Sequence, residues 1–269
     1  MAPRIPKVLS IAGSDPSGGA GVQADIKTFS ALRCYAMAAV TALTAQNTRG
    51  VSLVHAAPPG VVAAQIDSIF ADIAVDAVKL GMLAEPAIAE AVAGALERGA
   101  ARCIVFDPVL VSTHGDALAG PGLVAAAQAR IVPLATLITP NLDEAAALLG
   151  GGRARDGAAM AEQARALVAL GARAALVKGG HLAGAPVDIL FDGTQIHEFA
   201  GRRVATRNTH GTGCALSAAI AARLAHGAAL VAAVAEAKAW LEGALAAADE
   251  LALGGGAGPP HHFYAAWRE

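Results

Sequence analysis

Aromatic side chains are scarce in this sequence, with two Trp, two Tyr and six Phe in 269 residues. A core of the size this length allows must therefore be filled by aliphatic and small side chains rather than by rings. Cysteine is scarcer still. Cys34, Cys103 and Cys214 stand far apart with no C-x-x-C pair, which excludes a zinc cage or a disulfide framework and fits a reducing compartment. Cys34 and Cys103 fall in apolar runs and read as core residues. A surplus of one charge is also missing. With 20 Lys and Arg against 22 Asp and Glu the formal net charge is -2, too little to bind nucleic acid or anionic lipid by itself. Any anionic ligand must be held by local geometry. Although 55% of residues are hydrophobic and mean hydropathy is +0.50, no predominantly apolar stretch reaches the roughly 18 to 20 residues that a spanning helix needs. Residues 8–12 are too short for a signal-peptide core, and no small-residue cleavage site follows. The expectation is a soluble, cytoplasmic protein that engages neither membrane nor nucleic acid.

Alanine (70 residues) and glycine (30) together exceed a third of the chain, so helices and sheet are expected to pack through small faces. High apolar content with almost no net charge excludes an open, disordered chain. No long linker, internal repeat or low-complexity segment beyond the alanine bias is present, and residues 1–269 read as a single domain.

Short β-like runs alternate with helical periodicity nearly end to end, the pattern of a parallel sheet covered by helices. Residues 8–12 form a first buried strand, followed by a Gly-rich loop and a helix with Val22, Ile26, Phe29 and Arg33 at helical spacing. Further strands are expected at 35–44, 75–80, 103–106, 137–139 and 174–178. A helix is expected at 87–98, where Ile88, Val92 and Leu96 recur every four residues. Beyond Lys178, β segments at 187–191 and 195–199 flank Asp192-Gly193, a hairpin turn signal. The α/β sheet, mostly parallel, should therefore carry an antiparallel edge. Two Ala-rich helices, 212–225 and 230–247, precede a Gly/Pro tail.

Ligands of open α/β sheets bind at the carboxyl ends of strands, and four such places carry chemistry. The first is Gly13-Ser14-Asp15-Pro16-Ser17-Gly18-Gly19-Ala20-Gly21. Gly19, Gly21 and Ala24 loosely satisfy the G-x-G-x-x-[GA] dinucleotide fingerprint, but no Asp or Glu occurs between Asp25 and Asp67 to hold a ribose, and the Gly-Lys-Ser/Thr of a P-loop is missing. A dinucleotide-dependent oxidoreductase is thereby weakened. The loop can still bring backbone N–H groups close to a ligand, with Asp25 one helical turn inside as a hydrogen-bond partner; a merely tight turn needs fewer glycines. The second place is Asp107-Pro108-Val109, a candidate hard-cation site, although Asp is common at strand ends. In the neighbouring Thr139-Pro140-Asn141-Leu142-Asp143-Glu144, Thr139 or Asn141 can cap a helix with Glu144 in its first turn, and capping alone accounts for Glu144 without Mg²⁺.

The third place is Lys178-Gly179-Gly180-His181. A lysine at the end of a buried parallel strand has phosphate as its natural counter-ion, whereas His181 reads as a polar loop residue. The fourth is Asn208-Thr209-His210-Gly211-Thr212-Gly213-Cys214-Ala215, entering a helix that carries Leu216, Ile220 and Leu224. Gly-Thr-Gly at a helix N-terminus leaves N–H groups at the positive dipole end, an anion hole. Cys214 falls in the first turn, where the dipole is expected to lower its thiol pKa. An anion hole beside an ionisable group makes phosphoryl transfer the natural reaction class.

At these residues the chain resembles the hydroxymethylpyrimidine/phosphomethylpyrimidine kinases of thiamine biosynthesis, in the ribokinase-like superfamily. The carriers are the strings from Ile11 to Gly21, then Ala42-Leu43-Thr44-Ala45-Gln46-Asn47-Thr48, Lys79-Leu80-Gly81-Met82-Leu83, Asp107-Pro108-Val109, Thr139-Pro140-Asn141, Val177-Lys178-Gly179-Gly180-His181, the loop from Asn208 to Cys214, and Gly258 with His262-Phe263. They occur in the same order over residues 7–267. The resemblance implies a three-layer α/β/α fold with ATP over the later strands and the pyrimidine over the earlier ones. It implies that Gln46 reads the aminopyrimidine edge, with Gly13, Asp25, Met82 and Val109 lining the same pocket. A flat ring with ring nitrogens and an amino group needs an amide that donates and accepts, between apolar walls.

The same resemblance implies that Asp107 and Glu144 organise Mg²⁺, that Lys178 holds the transferring phosphate, and that Asn141, Thr113, Gly211, Thr212 and Gly213 bind ATP. Cys214 stands where sugar kinases of the wider superfamily carry an Asp base, and would accept the hydroxymethyl proton. ATP and Mg²⁺ are the implied cofactors, a small pyrimidine the partner, and a homodimer the assembly. The family phosphorylates twice, first the alcohol and then the monophosphate. His114, in Ser112-Thr113-His114-Gly115-Asp116, departs from the small Ser common in the family; it alters nucleotide contacts or lid closure, or faces water. Two competing readings are a pyridoxal or pyridoxine kinase, against which Gln46 and Met82 argue, and a catalytically silent pyrimidine-binding sensor, which would not need the phosphate machinery.

Overall fold

The computed structural model describes residues 4–110, 118–180, 182 and 185–267. Nine strands, β1 (Lys7–Ser14), β2 (Tyr35–Asn47), β3 (Gly50–Ala56), β4 (Ala77–Leu80), β5 (Ile104–Phe106), β6 (Leu137–Ile138), β7 (Ala175–Lys178), β8 (Val187–Phe191) and β9 (Ile196–Ala200), form one sheet in the order β3-β2-β1-β4-β5-β6-β7-β8-β9. From β2 to β7 all neighbours are parallel. The expected antiparallel edge is present as β8 and β9. The opposite edge is antiparallel too, through β3, a strand the sequence pattern does not reveal because Ser52, Leu53, Val54 and His55 are all exposed and no face is buried.

Alternation along the strands sorts the core into two layers. Leu9, Ile11, Val78, Leu80, Ile104 and Phe106 face α2 (Pro59–Asp72), α3 (Pro86–Arg98), α4 (Leu123–Arg130), α5 (Leu142–Leu149) and α6 (Gly157–Ala169). Val8, Ala77 and Val105 face α1 (Gly21–Ala31), α7 (Thr212–Ala225) and α8 (Leu230–Ala246). Alanine explains the second layer. Residues 215–222 of α7 are buried without a break, and a helix enclosed on all sides can approach sheet and neighbours only through small side chains. Cys34 is buried in this layer and Cys103 packs against it half-buried. Arg33 does not extend the row of α1. The helix stops at Ala31, and Arg33 adopts a left-handed φ of 61° beyond it. No helix among the described residues is long and apolar enough to cross a membrane.

Because β2 and β4 lie on opposite sides of β1, the winding reverses there and leaves a crevice at the carboxyl ends of the strands.

Candidate active site

The crevice is one cavity of about 860 Å³ whose wall includes Gly13, Gln46, Met82 and Val109 together with Asp107, Asn141, Glu144 and Lys178. Gly211, Thr212, Gly213 and Cys214 also line it. Parallel register accounts for much of this convergence. Asn141 and Lys178 are bridged as parallel neighbours just past β6 and β7, and Asp107 N donates to Leu80 O directly after β5. Gly13 lies close against Met82, where a Cβ would stand 3.0 Å from Sδ, so a larger residue there would have to push the Met82 side chain aside.

Two sequence expectations fall elsewhere. Asp25 is not on the wall but fully buried beneath it, in α1. Ser10 and Lys79 are direct neighbours on β1 and β4 and point at α1, where Asp25 Oδ2 accepts from Ser10 Oγ (2.6 Å) and Lys79 Nζ (3.0 Å). Burial pushes the Asp25 carboxyl up against the opposing pull of Lys79. Burial alone would depress the Lys79 ammonium, but the Asp25 carboxylate facing it holds it above its ordinary range. Thr113, together with His114 and His181, lies outside the described residues.

Lys178 Nζ donates to Asp107 Oδ1 at 2.7 Å, and Thr139 Oγ1 donates to the same oxygen at 3.2 Å. Burial would raise the Asp107 carboxyl, but the ammoniums of Lys178 and Lys79 hold it below the usual carboxylate range. Asn141 caps α5: its side chain accepts from the backbone of Asp143 and Glu144, and Glu144 Oε2 accepts from Asn141 N at 2.7 Å. The capping expected from the sequence is therefore present, with Asn141 rather than Thr139 as the cap. Burial pushes the Glu144 carboxyl up to about 7, with Lys178 opposing and Asp107 adding to the shift. No cluster of three or more His, Cys, Asp or Glu suited to a metal occurs among the described residues. Two buried carboxylates nevertheless fit Mg²⁺, which takes one or two carboxylates and completes its shell with water and substrate phosphate.

The 211–213 loop is shaped by its glycines. Gly211 has φ 74°, and a Cβ there would run into Gly19 O of the loop after β1. A Cβ on Gly213 would stand 3.2 Å from Lys178 Nζ and 3.6 Å from Asp107 Oδ2, so glycine keeps the helix terminus open beside the ammonium. Cys214, half-buried in the first turn of α7, departs from expectation. Its thiol is not lowered but pushed up to about 11, because burial and the nearby carboxyls of Asp25 and Asp107 outweigh Lys79 and a hydrogen bond with the Gly21 backbone.

Three features of the site are invisible in sequence spacing. Lys79 lies in a strand that reads as apolar. Asp15 and His210 are 195 positions apart, yet His210 Nε2 lies 2.8 Å from Asp15 Oδ2 and 3.2 Å from Gln46 Nε2. Asp188 on β8 accepts from Gly179 N at 2.9 Å and from Lys238 Nζ of α8 at 2.5 Å, tying the loop after Lys178 to both elements.

The family model for phosphomethylpyrimidine kinase matches residues 15–261. A hydroxymethylpyrimidine/phosphomethylpyrimidine kinase of Rhizobium meliloti (strain 1021) is 52% identical over 262 residues, 97% of this chain and 98% of that protein. The crystal structure of phosphomethylpyrimidine kinase from Clostridium difficile 630 is 37% identical, with a TM-score of 0.79 over 88% of this chain and 97% of that one. The structure of the pyridoxal kinase from Staphylococcus aureus in complex with AMP-PCP and pyridoxal is 33% identical, with a TM-score of 0.89 over 99% of this chain and 96% of that one. With the match running almost end to end at this identity, the chain belongs to the phosphomethylpyrimidine kinase family.

Proposed function

We propose that this chain uses ATP to phosphorylate 4-amino-5-hydroxymethyl-2-methylpyrimidine to its monophosphate and then to the pyrophosphate, in thiamine biosynthesis. The observation that carries the reading is the single cavity shared by a ring-reading amide, Gln46, and a phosphate-handling group made of Lys178, Asp107 and the 211–213 loop, with Cys214 on its wall. Met82 and Val109 supply apolar surface for a flat ring. Phosphoryl transfer demands positioning and neutralisation of charge on the equatorial oxygens. Lys178 meets that demand by exchanging Asp107 for phosphate, and the N–H groups at the start of α7 add hydrogen bonds. Asp107 and Glu144 would hold Mg²⁺ together with the nucleotide, and the cation supplies further neutralisation of the phosphates.

Cys214 handles the hydroxymethyl proton at Sγ only after its thiol has lost its own, so general-base catalysis, worth about 10²- to 10⁴-fold, is secondary to positioning. A cavity of about 860 Å³ supports the second phosphorylation, which needs room for a phosphate at the acceptor end. The intact phosphate machinery argues against a silent sensor. Identity of 52% to a pyrimidine kinase against 33% to a pyridoxal kinase supports the pyrimidine as acceptor. Comparison of kcat/KM for hydroxymethylpyrimidine and pyridoxal tests this choice, and a preference for pyridoxal would overturn it. We place the enzyme in the cytoplasm as a homodimer. The exposed Leu43, Leu53 and Val54 on the β2–β3 ribbon support self-association, and a monomeric mass by light scattering would contradict it.

A further inference from the structure

Asp15 and Gln46 meet at one atom of His210, and the hydrogen count there decides how Gln46 faces the pocket. Asp15 is saturated by donors. Its Oδ1 accepts from Ser17 N (2.9 Å) and Ser17 Oγ (2.8 Å), and its Oδ2 from Gly19 N (3.1 Å) and Ala20 N (2.8 Å). A carboxyl ringed by four donors is ionised and can only accept. Burial works against the charge, but hydrogen bonds from His210 and Ser17 hold Asp15 below its ordinary range. His210 Nε2, 2.8 Å from Asp15 Oδ2, must therefore carry a hydrogen and donate it. Gln46 has two neighbours. Gln46 Nε2 stands 3.2 Å from that same His210 Nε2 and Gln46 Oε1 stands 3.2 Å from Thr44 Oγ1, two places that a flip of the amide exchanges. Thr44 has one hydroxyl hydrogen, donated to Ser14 O at 2.8 Å, so toward Gln46 it offers lone pairs. The one hydrogen on His210 Nε2 is shared: that nitrogen then has no lone pair, so only Gln46 Oε1 can face it, as a second acceptor beside Asp15 Oδ2, while Gln46 Nε2 donates to Thr44.

We propose that the Asp15–His210 pair is a positioning element that fixes the polarity of the Gln46 amide and so sets which hydrogen-bond pattern the acceptor pocket takes. After its two internal bonds Gln46 keeps one lone pair on Oε1 and one N–H on Nε2 for a ligand. Resting on the pyrimidine reading above, the matching ligand presents an amino N–H beside the reacting arm and a bare ring nitrogen next to it. The 4-oxo analogue of the same pyrimidine presents the reverse, oxygen and ring N–H. His210 is itself immobilised: it is buried, its backbone N donates to Gly258 O at 3.0 Å, and Gly19 leaves room for its ring.

Two measurements test this. Long-range ¹H–¹⁵N NMR on histidine-labelled protein without ligand is expected to show His210 Nε2 as a protonated, pyrrole-type nitrogen. In kinetics, wild type is expected to favour the 4-amino over the 4-oxo pyrimidine by at least about 10²-fold in kcat/KM, since each mismatched buried pair leaves polar groups unsatisfied. His210→Leu is expected to shrink that ratio about tenfold or more, and His210→Gln, which keeps an N–H at the same place, to restore most of it. A pyridine-type Nε2, or a His210→Leu ratio within about twofold of wild type, in protein that phosphorylates the aminopyrimidine overturns the positioning role alone. Failure of wild type to phosphorylate either pyrimidine overturns the functional reading and the specificity role with it.

Discussion

Lys79 offers a sharp test of how the floor of the site is held together. Its ammonium and the Asp25 carboxylate are both fully buried, 3.0 Å apart, with Ser10 Oγ as the second donor to the same oxygen and Asp25 Oδ1 left without a partner among the described residues. Lys79→Met removes one charge and strands the other. Breaking a buried pair in this way costs about 3–5 kcal/mol, far more than the pair itself contributes over an apolar replacement. For a chain of this size that corresponds to a fall in Tm on the order of 10 °C. The stranded Asp25, deprived of its counter-ion in a dry site, takes up a proton in the folded state that it does not hold when unfolded. Its folded pKa is then raised, so the variant keeps stability at lower pH and loses it as pH rises. Urea denaturation of wild type, Lys79→Met and Lys79→Met/Asp25→Asn at pH 6 and pH 8.5 measures both effects. The single variant should lose more at pH 8.5, and the double variant should recover at least half of the loss. A single variant within about 1 kcal/mol of wild type, or a double variant no better than the single one, would refute the reasoning.

Four further outcomes follow from the same structure. His262 is buried beside Trp240 and its pKa is lowered to about 3, by burial first and then by Lys27 and His261. The unfolded ring titrates near 6.5, so wild type should lose roughly 2 kcal/mol from this residue between pH 7.5 and pH 5, and His262→Phe should lack that increment in parallel denaturation curves. Lys178→Met should lower kcat by about 10²- to 10³-fold while the pyrimidine Kd, measured by calorimetry, stays within a few fold; an unchanged kcat would remove Lys178 from phosphate handling. Cys214→Ala should abolish nearly all turnover with pyrimidine affinity kept within a few fold, whereas retention of most of the rate would remove Cys214 from the chemistry. With its thiol pushed up to about 11, Cys214 in free enzyme should be alkylated slowly by iodoacetamide at pH 7.5 and faster as pH rises; rapid alkylation at neutral pH would restore a preformed thiolate.

Local signals carried much of this architecture, and long-range juxtaposition carried what they could not. Gly211-Thr212-Gly213 marked the start of α7, and Asp192-Gly193 the β8–β9 turn, because turn and cap chemistry is read from adjacent residues. The Asn141–Glu144 cap was legible for the same reason. By contrast, β3 has no buried face to impose alternation, and α2 shows only Val62 and Ile66 as buried periodic residues amid alanines. The family resemblance implies Asp25 as a wall residue, and its place one turn inside a Gly-rich loop offers it to a ligand as a hydrogen-bond partner. In the structure it is fully buried against Lys79, 54 positions away, a partner that no local pattern announces. The Cys214 thiol departs from the sequence expectation because a helix start is visible in sequence, whereas its burial and the carboxyls of Asp25 and Asp107 are set by elements distant in sequence.

The central claim is that one cavity performs two successive phosphoryl transfers to a hydroxymethyl-aminopyrimidine. Time-resolved ³¹P NMR of the wild-type protein with ATP, Mg²⁺ and 4-amino-5-hydroxymethyl-2-methylpyrimidine tests it directly. The expected record shows a monoester signal rising and then giving way to a pyrophosphate, with ADP formed at two equivalents per pyrimidine. ATP left unconsumed while the pyrimidine binds, or a monophosphate that accumulates without conversion, would contradict the account.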